Sequence, residues 1–153
     1  MNKKYNYASA DIDYRAHPEL YKIAKGEQGV LIVEPYKSEI LPHWKFKTAI
    51  EANISAQMIY KMFLAYKDAH DFVGMDMARK YLQMGYTRSR RYARHKSGKK
   101  YGSLQDKENK KELPETFDPE KQKSADIFWK YYQKAISDVH YLEYKRIHKD
   151  KYG

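Results

Sequence analysis

The helical period that runs from Thr48 to Gly85 constrains this chain more than any other feature. Thr48 and Glu51 stand at capping-box spacing, in which hydroxyl and carboxylate satisfy each other's unpaired amide donors. Behind them Ile54, Met58, Met62 and Tyr66 recur every four residues, and Ile50, Ile59 and Phe63 widen the same face. The pattern predicts a helix to about His70 with one side buried and the methionines as core filler. Asp71 then caps a second helix with Val73, Met77, Ala78, Tyr81 and Leu82 inward and Gly85 as its stop. With so short a connection the two helices form a tight antiparallel or angled pair.

Before this pair the chain is less regular. Residues 1 to 16 are polar and aromatic without a period and read as a surface arm; Asp11 and Asp13 read as a solvated turn rather than a divalent-ion site. Pro18, Glu19, Lys25 and Gly26 are placed to start and stop a short helix. The apolar run from Gly29 to Val33, ended by Pro35, predicts a buried strand, and residues 43 to 46 predict a second extended piece, so a small β-ribbon is expected near residues 29 to 46.

After the pair, Thr87 is placed to cap a third helix from Arg88 to about Ser97, closed by Gly98. Residues 98 to 117 carry three charged clusters and few apolar anchors, which predicts a long polar loop. Asp118 and Pro119 restart helix, with Ala125, Phe128, Tyr132, Ala135, Ile136 and Val139 inward. Ser137 and Asp138 break it before a last helix carrying Tyr141, Leu142 and Tyr144. The fold class is therefore mainly α, a single compact domain over residues 1 to 153.

Composition narrows the chemistry. The chain has no cysteine, which excludes disulfides, thiolate zinc sites and cysteine nucleophiles and fits a reducing compartment. No run of about eighteen apolar residues and no leader pattern is present, so a cytoplasmic protein with no membrane span is expected. Sixteen tyrosines against five phenylalanines suit a core that reaches the boundary with water. Gly98-Lys99 lacks the earlier glycine of a phosphate loop, Gly26 and Gly29 are too few for a dinucleotide fingerprint, and no Gly-x-Ser-x-Gly occurs. The six histidines are scattered, without zinc spacing. No metal, cofactor or catalytic residue is assigned.

The charge distribution is more informative. The formal net charge is +10, and between Asp76 and Asp106 there is no acidic residue, whereas Arg79, Lys80, Arg88, Arg90, Arg91, Arg94, Lys96, Lys99 and Lys100 all fall there. Guanidinium forks suit phosphate, so residues 86 to 101 are the candidate site: Arg88, Arg90, Arg91, Arg94, Lys96, Lys99 and Lys100, with Tyr92 to stack or pack. The first-turn amides of the third helix would add to the pull on anions. The partner expected is nucleic acid, held mostly at its phosphates, or another polyanion.

Two further readings stand beside it. A small enzyme or sensor would clamp a phosphorylated molecule between the arginine helix and residues 34 to 44, with Glu34, Lys37, Glu39, His43 and Trp44 as the pocket. Glu34 and Lys37 have nearly the spacing of a metal-dependent nuclease pair, one residue too long. An interaction protein would dock its basic face on an acidic partner.

Residues 26 to 47, GEQGVLIVEPYKSEILPHWKFK, and residues 75 to 101, MDMARKYLQMGYTRSRRYARHKSGKKY, resemble a family of short, uncharacterised proteins of bacteria and bacteriophages, known as a domain of unknown function. The resemblance spans nearly the whole chain. It implies one compact domain, and no activity or catalytic residue is carried over from it.

Overall fold

The computed structural model describes residues 12–23, 30–95, 101–110 and 117–153. Among these residues lie six α-helices: α1 (Tyr36–Ile40), α2 (Ala49–Asp68), α3 (Phe72–Arg94), α4 (Leu104–Glu108), α5 (Pro119–Ile136) and α6 (Val139–Tyr152). Two short 3-10 turns, Pro18–Leu20 and Leu41–His43, complete the regular structure of the described residues.

α3 is the axis. Every residue from Phe72 to Leu82 is buried, and α1, α2, α5 and α6 all pack on this helix. The Asp118 amide donates to the Ala93 carbonyl at 2.9 Å and the Phe128 ring lies against Gly85, so α5 runs antiparallel to α3. The Ala49 amide donates to Glu120 Oε1 at 2.8 Å and the Tyr60 and Tyr131 rings meet at 5.6 Å, so α2 runs parallel to α5. α6 crosses the start of α3, where Tyr141 and His148 both lie on Phe72.

The starts of α2, α3, α5 and α6 are capped by side chains, and those at Thr48, Asp71 and Asp118 fall where the sequence places them. Thr48 Oγ1 accepts from the Glu51 amide, Asp71 from that of Gly74, Asp118 from those of Glu120 and Lys121, and Asp138 from those of His140 and Tyr141. Faces follow less well. Tyr66 is buried and Met62 half-buried, but Met58 is 38% exposed, Ile54 64% and Ile50 75%. A strict four-residue spacing advances about 40° per step around a helix of 3.6 residues per turn, so this stripe winds out of the core toward the N-terminus. The buried line is Ala52, Ser55, Ala56, Ile59, Phe63 and Tyr66, with small residues where the neighbouring helices come close.

Other expectations are corrected. No strand occurs among the described residues, so the β-ribbon near 29 to 46 is not formed. Val30 and Val33 point inward from turns while Leu31 and Ile32 are exposed, and the Val30 carbonyl accepts from Tyr81 Oη at 2.7 Å instead of joining a ladder. Residues 44 to 46 lie along α2 and α3, with the Lys45 amide on Ser55 Oγ and Trp44 against Tyr81. The helix expected from Pro18 is a single 3-10 turn, and its expected end at Lys25 and Gly26 lies outside the described residues. The polar loop contains α4, begun by Ser103. Val139 is exposed because the chain turns at Asp138 and begins α6 there.

Gly85 does not stop α3, which continues to Arg94. It is glycine because the buried Phe128 ring occupies the space a Cβ would need, and Gly74 meets the Tyr66 ring in the same way.

The buried half of α3 also carries charge. Asp76 is fully buried; Oδ1 accepts from Tyr141 Oη at 2.6 Å and from Arg79 Nη2 at 2.6 Å and Nε at 3.1 Å, and Oδ2 accepts from Tyr21 Oη at 2.5 Å. Lys80 Nζ stands 4.0 Å from Oδ2 and 5.1 Å from the centre of the Tyr21 ring. Arg79 reaches on to Gln83 Oε1 at 2.8 Å. Burial alone would raise the Asp76 carboxyl, yet Arg79, Lys80 and the two tyrosine hydroxyls hold it below the usual range. Burial pushes the Lys80 ammonium down to about 8 against the pull of Asp76.

Three outcomes follow. Gly85→Ala should lower the urea midpoint even though alanine gains roughly 1 kcal/mol of helix propensity, because overpacking against Phe128 costs about 1–3 kcal/mol. Asp76→Asn should destabilise the fold by about 3–5 kcal/mol in the same measurement, since it leaves two buried cations without their carboxylate. Lys80 sets a pH dependence. Between about pH 8 and its ordinary value of 10.5 the unfolded chain binds a proton that the folded chain does not, so this lysine makes stability rise with pH across that window. Unfolding at about pH 7.5 and 9.5 should show a rise in the parent chain that Lys80→Met lacks.

Candidate nucleic-acid interface

Beyond Leu82, α3 emerges from the core with one inward seam. Gly85, Ser89 and Ala93 recur every four residues and are buried. They allow α5 to lie close along α3 from Phe128 to Asp118. The Ser89 hydroxyl has no hydrogen-bond partner among the described residues, so this position is shaped by size rather than polarity. The arginine segment is thus the last three turns of the central helix and is fastened by small residues. Counting only large apolar side chains misses this anchor; the four-residue spacing of Gly, Ser and Ala is the signal that reveals it.

The continuous helix changes the electrostatics. There is no helix start at Thr87, whose hydroxyl donates back to the Met84 carbonyl at 3.3 Å, so the expected free first-turn amides do not exist. Arg91 and Arg94 instead sit in the last turn, where cations complement the negative helix end. His95 follows as the C-cap and is buried, with no partner for Nδ1 among the described residues. Arg79 and Lys80 leave the tally of accessible cations altogether, being buried around Asp76.

Turning the seam inward exposes Arg88, Arg90, Arg91 and Arg94, and leaves Tyr92 39% exposed. The Arg88 guanidinium lies 5.4 Å from the centre of the Trp44 ring. On the other flank Arg90 donates to Tyr86 Oη at 3.1 Å, the Tyr86 ring meets Trp129 at 4.7 Å, and Trp129 meets Tyr132 at 5.6 Å. No carboxylate among the described residues forms an ion pair with Arg88, Arg90 or Arg91. Lys96, Lys99 and Lys100 lie outside the described residues.

Beside Tyr92 opens a shallow groove of ≈350 Å³ walled by Lys45, Phe46, Lys47, Glu51, Tyr92 and Lys121. Lys121 Nζ donates to the Lys47 carbonyl at 2.5 Å and stands 5.9 Å from the centre of the Tyr92 ring. α2 and α5 both begin here. Thr48, Glu120 and Asp118 already take amides of their first turns, so the positive character of the groove comes from its three lysines.

The residues expected to form a pocket are dispersed. Glu34 accepts from the Ser38 amide and hydroxyl, both at 2.8 Å. Glu39 takes a bidentate pair from Arg15 at 2.7 and 2.8 Å and a bond from Tyr66 Oη at 2.7 Å, and the Arg15 contact holds its carboxyl below the usual range. Lys37 is half-buried on α1, and exposed His43 edges a ≈310 Å³ hollow beside Ile54 and Met58. Trp44 is the member that touches the arginine helix. A cavity of ≈400 Å³ lies at the opposite end of α3, between Phe72, His70, Tyr144 and Lys151. Asp13 Oδ1 accepts from the Arg15 and Ala16 amides, which is the turn reading of the Asp-x-Asp pair; Asp11 is outside the described residues. No cluster of three metal-ligating side chains occurs among the described residues, and no described helix is long and apolar enough to cross a membrane.

No curated protein and no solved structure matches the chain. One family model does, over residues 4–151, and so nearly the whole chain belongs to the family described as a domain of unknown function, DUF4385.

Proposed function

We propose that the chain binds nucleic acid through the exposed C-terminal turns of α3, with most contacts made to phosphates. One observation carries this reading: Arg88, Arg90 and Arg91 stand on an exposed surface with no ion-pair partner among the described residues, and two of them are seated on aromatic rings. Exposed cations elsewhere are often neutralised locally, as Arg15 is by Glu39 and Arg146 by Glu143 and Asp150. Guanidinium groups left without a carboxylate keep their full attraction for phosphate. Lys45, Lys47 and Lys121 extend the same field along one flank.

Phosphate contacts fix position without reading sequence, so the binding is expected to be indifferent to base order. The family resemblance supports a bacterial or bacteriophage origin, and the lack of cysteine supports a cytoplasmic setting, where nucleic acid is the abundant polyanion.

Titration of labelled DNA and RNA by fluorescence anisotropy at several salt concentrations tests the proposal. With Arg88, Arg90, Arg91, Arg94, Lys45 and Lys121 in contact, log affinity for a duplex should fall with log salt at a slope of about 5, from roughly 0.9 per phosphate. Reversing Arg88, Arg90, Arg91 and Arg94 to Glu should abolish binding while circular dichroism retains the helical signal. Undiminished binding by that variant would overturn the assignment.

A further inference from the structure

Resting on that reading, we propose that the nucleic acid is single-stranded, its backbone following the arginine strip and the lysines beside it while unpaired bases stack on Tyr92 and Trp129. The shape of the strip is the first support. A duplex offers its bases only to an element that stands proud enough to enter a groove, whereas an unpaired strand offers them to a flat surface. The last turns of α3 lie instead between α5 on one flank and Trp44 on the other, with Ser89 and Ala93 fully buried, so α3 presents only a strip of its circumference.

The second support is where the aromatic rings fall. Tyr92 is 39% exposed and Trp129 43% exposed, and they flank the arginines on opposite sides. Tyr86 and Tyr92 are six residues apart on α3, about 9 Å of helix rise, and Trp129 rests on Tyr86. A duplex keeps its base faces stacked internally and has nothing to lay on these rings; an unpaired base does. Trp129 is braced by Tyr86 and Tyr132, so it is a fixed platform rather than a loose side chain.

The third support is the groove at Tyr92. Phe46 and Tyr92 give it aromatic walls, and Lys45, Lys47 and Lys121 give it cations for a phosphate. Glu51 also lines it and disfavours phosphate on its own side, which leaves that part of the groove to a base. Cations together with exposed rings are the recognised means of holding a strand without reading its sequence.

The test compares an oligo(dT) strand of about twenty nucleotides with a duplex of the same length by anisotropy, at one salt concentration and with the full chain. The single strand should bind more tightly. Tyr92→Ala and Trp129→Ala should each weaken that binding about tenfold, within the range for loss of one stacked base. Tyr92→Phe should retain affinity, and Tyr92→Leu, which preserves bulk at this partly exposed position, should lose it as alanine does. Equal or tighter binding of the duplex, or single-strand binding untouched by the Tyr92 and Trp129 variants, overturns this inference and leaves the phosphate-binding reading intact. Failure of single strand and duplex alike overturns both.

Discussion

The fold depends on how one fully buried carboxylate is satisfied. Asp76 sits in the middle of a helix enclosed on all sides, where an unpaired anion would be costly by several kcal/mol. It is held by a tyrosine from the segment before α1, a tyrosine from α6 and two cations from its own helix. The termini of the described fold are therefore tied to its centre by the same two oxygens. Such a cluster makes the placements of Tyr21 and Tyr141 depend on one another through the carboxylate they share.

The same logic explains the tyrosine-rich composition. Tyr21, Tyr36, Tyr66, Tyr81 and Tyr141 are all buried, and each directs its hydroxyl to an acceptor: Asp76, Asp71, Glu39, the Val30 carbonyl and Asp76 again. Rings fill the interior while hydroxyls answer its polar groups. Arg15 joins Glu39 and Asp71 from outside, so a second carboxylate network closes the corner between α1, α2 and α3.

The caps at Thr48, Asp71 and Asp118 were legible in the sequence because they depend on local chemistry, each satisfying amides within its own first turn, whereas Thr87, of the same residue type as Thr48, lies inside α3. What depends on neighbours was not. The four-residue stripe from Ile50 marks a surface because its phase drifts across the helix, and residues 30 to 32 form a turn that leaves Leu31 and Ile32 exposed while Val30 and Val33 are buried. Gly85 resembles a terminator until Phe128 is placed against it. The charge excess of residues 88 to 94 was visible, whereas Trp44, Trp129 and Lys121 come to that surface from distant parts of the chain.

The seam of Gly85, Ser89 and Ala93 has a thermodynamic consequence for the cations outside it. It fixes the backbone under them, and Arg88 rests over the Trp44 ring while Arg90 donates to Tyr86 Oη. An arginine loses up to about 2 kcal/mol of conformational freedom when it is ordered by a partner. Part of that loss has already been taken up in folding here, so an anion arriving at this strip meets charges whose directions are set in advance.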